Sequence, residues 1–385
     1  MPWTSICTVE LRTRFALDYA DGLYSTAELC TRYNISRKTG YKWIGRYLRD
    51  GLPGLEERSR RPNSCPHQTP ADVEELLVEC RTKHPFWGPQ KLLYCLTRRH
   101  PKITFPAKST VGAILVRHGL IEPRRRRRSS RHPGAVPLTT TAPNQIWSAD
   151  FKGQFKMLNG VYNFPLTITD SHSRFILSCK GLSSVIQETA LPEFESLFKT
   201  YGLPDAIRTD NGGPFATRAL CGLSNLSVYW IKLGITHQRI KPGCPQQNAR
   251  HERMHKDLKA QTTRPPERNF KQQQRRFDDF REEFNNERPH DALAGETPAS
   301  CYEPSKRTMP NPLPEPDYPA HFEVRWVAKS GTFKWKKHQL FISQTLGHEW
   351  IGFEEVDDGV WSIYFYDILL ARLDERDFKL KAAVP

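Results

Sequence analysis

An arginine-rich run in the middle of the chain constrains the fold more than any other feature. The stretch PRRRRRSSRHPG, residues 123–134, places six arginines in eight positions. Charges of one sign at this density repel one another and cannot pack into a folded domain. The run therefore predicts a linker, residues 123–140, that separates folded parts of a chain of 385 residues.

The first 52 residues have the pattern of a DNA-binding helical domain. Ser25 and Glu28 have the spacing of a capping box at the start of a helix, and the short connection NIS leads to a second helix, RKTGYKWIGRYL. A short helix, a tight turn and a basic helix form a helix-turn-helix, in which the second helix enters the major groove of DNA. We therefore assign residues 1–52 to a helix-turn-helix domain.

The two faces of that second helix are predicted from its periodicity. Tyr41, Ile44 and Leu48 are expected to pack inward. The outward, DNA-contacting residues are then Arg37, Lys38, Lys42 and Arg46. The alternative is a small helical bundle with a solvated charged face.

Residues 70–122 predict a second, winged helix-turn-helix domain. Three amphipathic segments follow one another, ADVEELLVECRTKH, GPQKLLYCLTRR and AKSTVGAILVRHGLI, with Lys108 and Arg117 available for phosphates. The linker after them is suited to track the minor groove, although a purely solubilising linker is the alternative. Its predicted DNA contacts are Arg124, Arg125, Arg126, Arg127 and Arg128.

Charge and cysteine content favour a nucleic-acid partner and no structural zinc. The formal net charge is +15 with a pI near 9.4, and such an excess favours a polyanion, here double-stranded DNA. A membrane surface is the competing polyanion, but no apolar run is long enough to span a bilayer, and the N-terminus lacks a signal-peptide core. A cytoplasmic protein is the simplest interpretation. The nine cysteines are scattered without a close-spaced pair.

After the linker the pattern changes to strands and helices. Residues 141–300 predict three antiparallel strands and then β/α alternation, which is the order of an α/β ribonuclease-H-like core. After a proline-rich bridge, six short strands in residues 318–380 predict a small β-barrel. Lys334, Lys336 and Lys337 on one hairpin would suit the DNA backbone or protect a sheet edge.

Three carboxylates mark a candidate active site in the core. Asp150 lies in the strand WSADFKG, Asp210 ends a later strand in RTDNGGPF, and Glu252 lies on the helix PQQNARHERMHKDLK. In a ribonuclease-H-like sheet these strands are neighbours, so the acids converge and would repel one another unless divalent cations are bound. Gly212 and Gly213 would leave room for a DNA strand. Taken singly, an Asp at a strand end is usually a turn residue.

These three blocks resemble the DDE integrase core, and most closely the transposases of bacterial insertion sequences, which share it with retroviral integrases. The resemblance implies that Asp150, Asp210 and Glu252 are catalytic and bind two Mg²⁺ or Mn²⁺ ions. It places Asn211, Asn248 and His251 near the site, and His251 is a candidate for assisting proton transfer. The interval of 41 residues between Asp210 and Glu252 is longer than is common in the family, and the surplus is assigned to ATRALCGLSNLSVYWIKLG.

The implied activity is cleavage at the 3′ ends of an element and strand transfer into target DNA, by a homodimer or homotetramer assembled on DNA. Further DNA contacts are expected on the helix of Glu252, at Arg250, Arg253, Lys256 and Lys259. Asp170 is interpreted as a turn residue.

Two rival functions remain open. One rival is a catalytically inactive DNA-binding regulator that keeps the core as a scaffold. The other is a nuclease acting on RNA–DNA hybrids, against which the two duplex-reading modules argue.

Overall fold

The computed structural model describes residues 7–59, 68–122, 139–217, 222–241 and 244–382. The chain divides into two compact units, Met1–Gln68 and Thr69–Pro385. The predicted DNA contacts at 124–128 lie outside the described residues. Within the described ranges, no helix is long and apolar enough to cross a membrane.

Three helices and a 3₁₀ turn form the first unit. They are α1 (Thr8–Ala20), α2 (Thr26–Arg32), α3 (Arg37–Asp50) and the turn Leu52–Leu55. The capping box at the start of α2 is confirmed, since the Ser25 backbone N–H donates to Glu28 Oε2 at 2.8 Å and the Glu28 N–H donates to Ser25 Oγ at 3.3 Å. These bonds satisfy backbone donors that a helix start leaves free.

The inward face of α3 differs from the predicted one. Ile44 is buried, but Tyr41 and Leu48 are 63% and 68% exposed. Gly40 lies inward instead, because α3 packs so closely on α2 that a Cβ at this position would lie 2.4 Å from Cys30 Sγ. Hydrophobic periodicity could not show that a glycine makes the closest contact.

Two basic residues of α3 and one of α1 lie over a buried tryptophan. The charged groups of Arg12, Arg46 and Lys42 lie 3.8, 4.8 and 4.9 Å from the centroid of the Trp43 ring. The face of an aromatic ring attracts cations at such distances. Arg46 is half-buried, while Arg37, Lys38 and Lys42 are exposed. The predicted cationic surface of α3 is therefore open to solvent.

The second unit begins with α4 (Ala71–Lys83), α5 (Pro89–Arg99) and α6 (Lys108–Arg117), packed around the fully buried Trp87. Residues 68–122 contain no strand, so the predicted wing is not found there. The connection HPKITFPA between α5 and α6 carries two prolines, which cannot donate to a sheet. Arg117 pairs with Glu74 at 3.2 Å, whereas Lys108 is exposed.

A six-stranded sheet forms the core that follows. Its strands are β1 (Ile146–Phe151), β2 (Phe155–Lys156), β3 (Tyr162–Asp170), β4 (Ile176–Leu182), β5 (Ala206–Thr209) and β6 (Thr236–Arg239). The order is β2-β3-β1-β5-β6, with β4 also pairing β3. β1, β3 and β4 pair antiparallel, and β1, β5 and β6 pair parallel, in agreement with the predicted strand order.

Four helices accompany this sheet. They are α7 (Gln187–Tyr201), α8 (Asn225–Lys232), α9 (Ala249–Thr262), which follows the 3₁₀ turn Pro245–Asn248, and α10 (Phe270–Glu282), which continues into the π-helical turn Glu283–Glu287. α7 and α8 share one hydrophobic cluster with Trp147 and Leu166 of the sheet. α9 and α10 share another with Ile176 and Cys179.

The C-terminal part contains seven strands rather than six, and they do not close into the predicted barrel. They are β7 (Glu323–Trp326), β8 (Thr332–Trp335), β9 (His338–Phe341), β10 (Trp350–Asp357), β11 (Val360–Phe365), β12 (Ile368–Asp374) and β13 (Lys379–Ala382). Five form an open sheet of order β13-β12-β11-β10-β7, and β8–β9 is a separate hairpin. The hairpin stacks Phe333 and Trp335 on Phe353, so it covers the sheet by side-chain contact and not by strand pairing.

This C-terminal sheet also packs on the core. Leu223, Val228 and Ile231, from the segment assigned as surplus spacing, share its hydrophobic cluster, and Lys232 pairs with Glu349 at 2.7 Å. The longer interval thus supplies a contact surface for the C-terminal sheet. On the hairpin, Lys334 and Lys337 are exposed, and the nearby Lys336 binds Glu375 at 2.6 Å.

Candidate active site

Asp150 and Asp210 lie side by side at one end of the core sheet. β1 and β5 pair in parallel as far as Ser148 opposite Arg208, and the two aspartates come two residues further along each strand. Trp147 is buried toward α7 and α8, so the alternation of side chains along β1 turns Asp150 to the opposite face. The predicted convergence of these two acids is present.

The two carboxyl groups repel each other. The pKa of Asp150 is raised to about 7. Burial is the larger cause of this rise, and the charge of Asp210 is the next. A cation placed against the oxygens of two such neighbouring, partly buried carboxyl groups offsets their repulsion. Hard oxygen donors of this kind fit Mg²⁺ or Mn²⁺.

Neighbouring donors hold both carboxylates in place. Asn248 Nδ2 donates to Asp150 Oδ2 at 3.0 Å, and the Gly212 N–H donates to Asp210 Oδ1 at 3.1 Å. A Cβ on Gly212 would lie 3.1 Å from Asp210 Oδ2, whereas a Cβ on Gly213 would meet nothing within 4 Å. Gly212 therefore allows the close approach to Asp210, and Gly213 borders open space.

Glu252 lies one helical turn after Asn248, the residue whose amide binds Asp150. It is exposed in the first turn of α9, and in the described ranges no group of three or more His, Cys, Asp or Glu side chains is close enough to hold a metal ion. Without a bound cation, a third carboxylate at this place would add to the repulsion. The three-acid metal site stays a prediction.

Lys152 was not singled out from the sequence, yet it interacts with two of the acids. Burial, and then Lys259, lower the pKa of Lys152, while Asp150 and Glu252 act in the opposite direction. The sequence does indicate that Lys152 lies near Asp150, because it follows Asp150 by two positions, and in an extended chain such residues have their side chains on one face.

His251 faces the sheet and not the acid pair. It is 3% exposed, with Nε2 2.7 Å from Thr167 Oγ1, and burial lowers its pKa to about 3. His255, which the sequence analysis did not select, contacts the same Thr167 hydroxyl at 2.6 Å, and its Nδ1 lies 3.8 Å from Asp150 Oδ2. Both rings attach α9 to β3, so the position of His251 does not favour proton transfer.

Two other residues considered in the sequence have local partners. Asn211 Nδ2 donates to the Ile240 carbonyl at 2.8 Å, which ties the glycine turn to the end of β6. Asp170 is buried and accepts hydrogen bonds from the backbone N–H groups of Asn144, at 2.8 Å, and Ser173, at 2.7 Å. These bonds fit its interpretation as a turn residue.

The outer face of α9 is cationic. The exposed basic residues beside Glu252 are Arg250, Arg253, Lys256 and Lys259. Positive charges grouped beside an acid pair raise the local concentration of a polyanion and counteract the repulsion that the acids alone would exert on it.

Four family models match parts of the chain. Two described as integrase core domain match residues 140–245 and 233–298. A helix-turn-helix domain model matches residues 11–63, and a homeodomain-like domain model matches residues 39–115.

Two curated relatives come from insertion elements. The 39.2 kDa protein of insertion element IS476 of Xanthomonas euvesicatoria is 28% identical over 205 residues, which are 51% of this chain and 55% of that protein. The 31.7 kDa protein of insertion element IS407 of Burkholderia multivorans is 30% identical over 189 residues, 46% of this chain and 61% of that protein. The chain thus spans little more than half the length of these relatives.

Among solved structures, a chain from the intasome of simian T-cell lymphotropic virus aligns with 80% of this chain and 99% of its own length, at 16% identity and a TM-score of 0.38. The HTLV-2 integrase catalytic core domain in complex with magnesium covers 42% of this chain and 98% of its own length, at 16% identity and a TM-score of 0.34. TM-scores this low support no conclusion about function.

Proposed function

This chain belongs to the integrase-core proteins of bacterial insertion elements, and we propose that it is a transposase. Its helix-turn-helix domains bind the terminal inverted repeats of the element. Its core cleaves at the 3′ ends and uses each freed 3′-OH to attack a phosphodiester of target DNA. The observation that carries the proposal is the pair of facing carboxyl groups of Asp150 and Asp210.

In this proposal Asp150, Asp210 and Glu252 bind divalent cations, two per site. Such ions stabilise the charge that develops on the attacking and leaving oxygens during in-line phosphoryl transfer. The chain's own groups orient the ligands: the side-chain amide of Asn248 fixes one oxygen of Asp150, and the N–H of Gly212 fixes one oxygen of Asp210.

The partner in this proposal is double-stranded DNA, both the element ends and the target. The cationic face of α9 lies beside the acid pair, where it would contact a DNA backbone entering the site. Two ends must be joined to one target, which requires a homodimer or homotetramer on DNA. Such a protein would act in the bacterial nucleoid.

A second candidate function is a DNA-binding regulator without catalysis. The exposed position of Glu252 supports it, since within the described ranges no group of three or more His, Cys, Asp or Glu side chains could hold a metal ion.

Strand transfer in vitro separates the two. The DNA that flanks the gene, labelled at one end, is mixed with a supercoiled plasmid, Mg²⁺ or Mn²⁺, and wild type, Asp210→Asn or Asp205→Asn. Asp205 is the matched control, an exposed aspartate immediately before β5 that pairs with Arg307 at 3.2 Å. We expect wild type and Asp205→Asn to join the end to the plasmid, and Asp210→Asn to bind it with unchanged affinity and join at least about 100-fold less.

Binding of the ends by all three proteins, with no cleavage or joining in either metal, would overturn the transposase and favour the regulator. Equal joining by wild type and Asp210→Asn would remove Asp210 from the active site.

A further inference from the structure

A cavity of about 590 Å³ lies where the second helical module, the start of α9 and the segment after α10 meet. Its wall carries five basic side chains from four different parts of the second unit: Lys91, Arg174, Arg250, Arg253 and Arg288. Three aspartates also line it, but two are already engaged. Asp170 accepts hydrogen bonds within its own turn, and Asp257 pairs with Arg288.

Two buried groups in this wall lack partners. Arg288 is 5% exposed, and only its Nη2 is bonded, to Asp257, while its Nε and Nη1 have no hydrogen-bond partner. His290 Nε2 is likewise buried without a partner. Buried donors left unpaired cost free energy, and a guanidinium costs more than a neutral group. An arrangement of this kind is stabilised by an acceptor placed in the cavity.

Lys91 adds a further amine without a hydrogen-bond partner among the described residues. Its side chain is half-buried and makes no hydrogen bond or ion pair with any described residue. Burial, and then the charge of Arg288, lower the pKa of Lys91 to about 7. Arg174 lines the same space from a left-handed backbone conformation, φ 67°, which non-glycine residues rarely adopt. Burial, and then the charge of Arg250, lower the pKa of Arg174, so cations lie close to one another around this space.

We infer that this cavity is an anion-binding site that takes a phosphate group, held by Arg288, Lys91 and His290. A guanidinium fork and an ammonium match the several acceptor oxygens of a phosphate. Two sources share this chemistry, free inorganic phosphate and a phosphate of a DNA strand. The cavity is also lined by Asn248, whose amide binds Asp150, so a DNA phosphate held there would lie beside the acid pair. Only the assignment to a DNA phosphate rests on the proposed function; the binding of inorganic phosphate does not.

The first test uses inorganic phosphate and thermal unfolding of the full chain. Wild type, Lys91→Gln and the control Lys102→Gln are unfolded in sodium phosphate and in sodium chloride of equal ionic strength and pH. Lys102 is an exposed lysine of the same helical module outside the cavity. A ligand that binds only the folded state raises the midpoint of unfolding.

We expect phosphate to raise the midpoint of wild type and Lys102→Gln above the chloride value, and to leave Lys91→Gln unchanged. In chloride, Lys91→Gln should unfold at or above the wild-type temperature, because it removes a repelled charge. No phosphate effect in wild type, or an equal effect in all three proteins, would overturn the site.

A second test identifies the source of the phosphate. Binding of a labelled DNA duplex is measured by fluorescence anisotropy with and without inorganic phosphate at constant ionic strength. Weaker DNA binding by wild type in phosphate, with no change for Lys91→Gln, assigns the site to a DNA phosphate. Unchanged DNA binding together with a phosphate-raised midpoint assigns it to free phosphate. The unfolding result stands even where strand transfer fails, so the two proposals are tested separately.

Discussion

The two helical modules have similar sequence patterns but are stabilised differently. The first forms a compact unit, Met1–Gln68, whose core is closed by residues such as Phe15 and Trp43. The second belongs to the same unit as the core: Trp87 Nε1 donates to Glu283 at 2.9 Å, and Arg98 pairs with Glu296 at 2.9 Å. A helix-turn-helix pattern in the sequence therefore does not tell whether a module is an independent unit or part of a larger one.

The difference has a functional consequence within the proposals made above. A DNA contact made by the second module acts on elements that also border the active site, because Lys91 of α5 and Asn248 before α9 line one cavity. The first module, as a separate unit, would contribute affinity for an element end.

The largest effect that can test this comparison is expected at Trp87. Trp87→Ala empties a fully buried site and should lower the free energy of unfolding of the second unit by about 3–5 kcal/mol. Trp87→Phe removes the donor to Glu283 and should cost about 1–2 kcal/mol. Hydrogen exchange should rise both in residues 71–117 and in residues 283–287, with residues 8–50 unaffected. A rise confined to 71–117 would contradict the coupling of the second module to residues 283–287 through Trp87 and Glu283.

A smaller effect of either sign is expected from two glycines of α3. Gly40→Ala forces a Cβ against Cys30 Sγ and should destabilise the first unit by about 1–3 kcal/mol. Gly45→Ala, on the same helix with nothing within 4 Å of the added Cβ, should stabilise it by about 0.5–1 kcal/mol. Thermal unfolding gives both values, and hydrogen exchange of the second unit serves as the control. Equal shifts for the two variants would refute the close packing of α3 on α2.

The smallest effect concerns DNA binding by the two modules. Lys42→Ala and Lys108→Ala each remove one exposed cation, and each should lower the slope of log affinity against log salt by about 1 if the lysine contacts a phosphate. Fluorescence anisotropy with the element end at several salt concentrations measures this slope. Lys199→Ala, an exposed lysine on α7, should leave the slope unchanged. If the slope falls for Lys42→Ala but stays unchanged for Lys108→Ala, then of these two lysines only the one in the first module contacts DNA.

Local patterns in the sequence predicted much of this structure. The capping box of Ser25 and Glu28 depends on residues three apart, and the side of β1 on which Asp150 lies follows from alternation along a single strand. The neighbouring position of Asp210 follows from the predicted strand order. The first two depend on hydrogen bonds or periodicity that a short segment contains, and the third on the order of the strands in the sheet.

Several of the failures concern contacts between separate elements. Tyr41 and Leu48 are exposed because Gly40 makes the contact with α2, and β8–β9 stacks on the C-terminal sheet without pairing into a barrel. His251 has the spacing of a site residue, but its ring is taken by hydroxyls of β3. Helical spacing alone does not reveal the partner that a side chain meets.

By itself, then, the amino-acid sequence determined the order of helices and strands, which follows from local propensity and periodicity, while the adjacency of Asp150 and Asp210 followed from the ribonuclease-H-like strand order that this succession indicates. Only the tertiary structure decided that the second helical module shares a unit with the core, that the His251 ring binds hydroxyls of β3, and that Lys91 and Arg288 line one cavity. The physical reason is that packing and charge act between atoms that are close in space, whatever their separation along the chain.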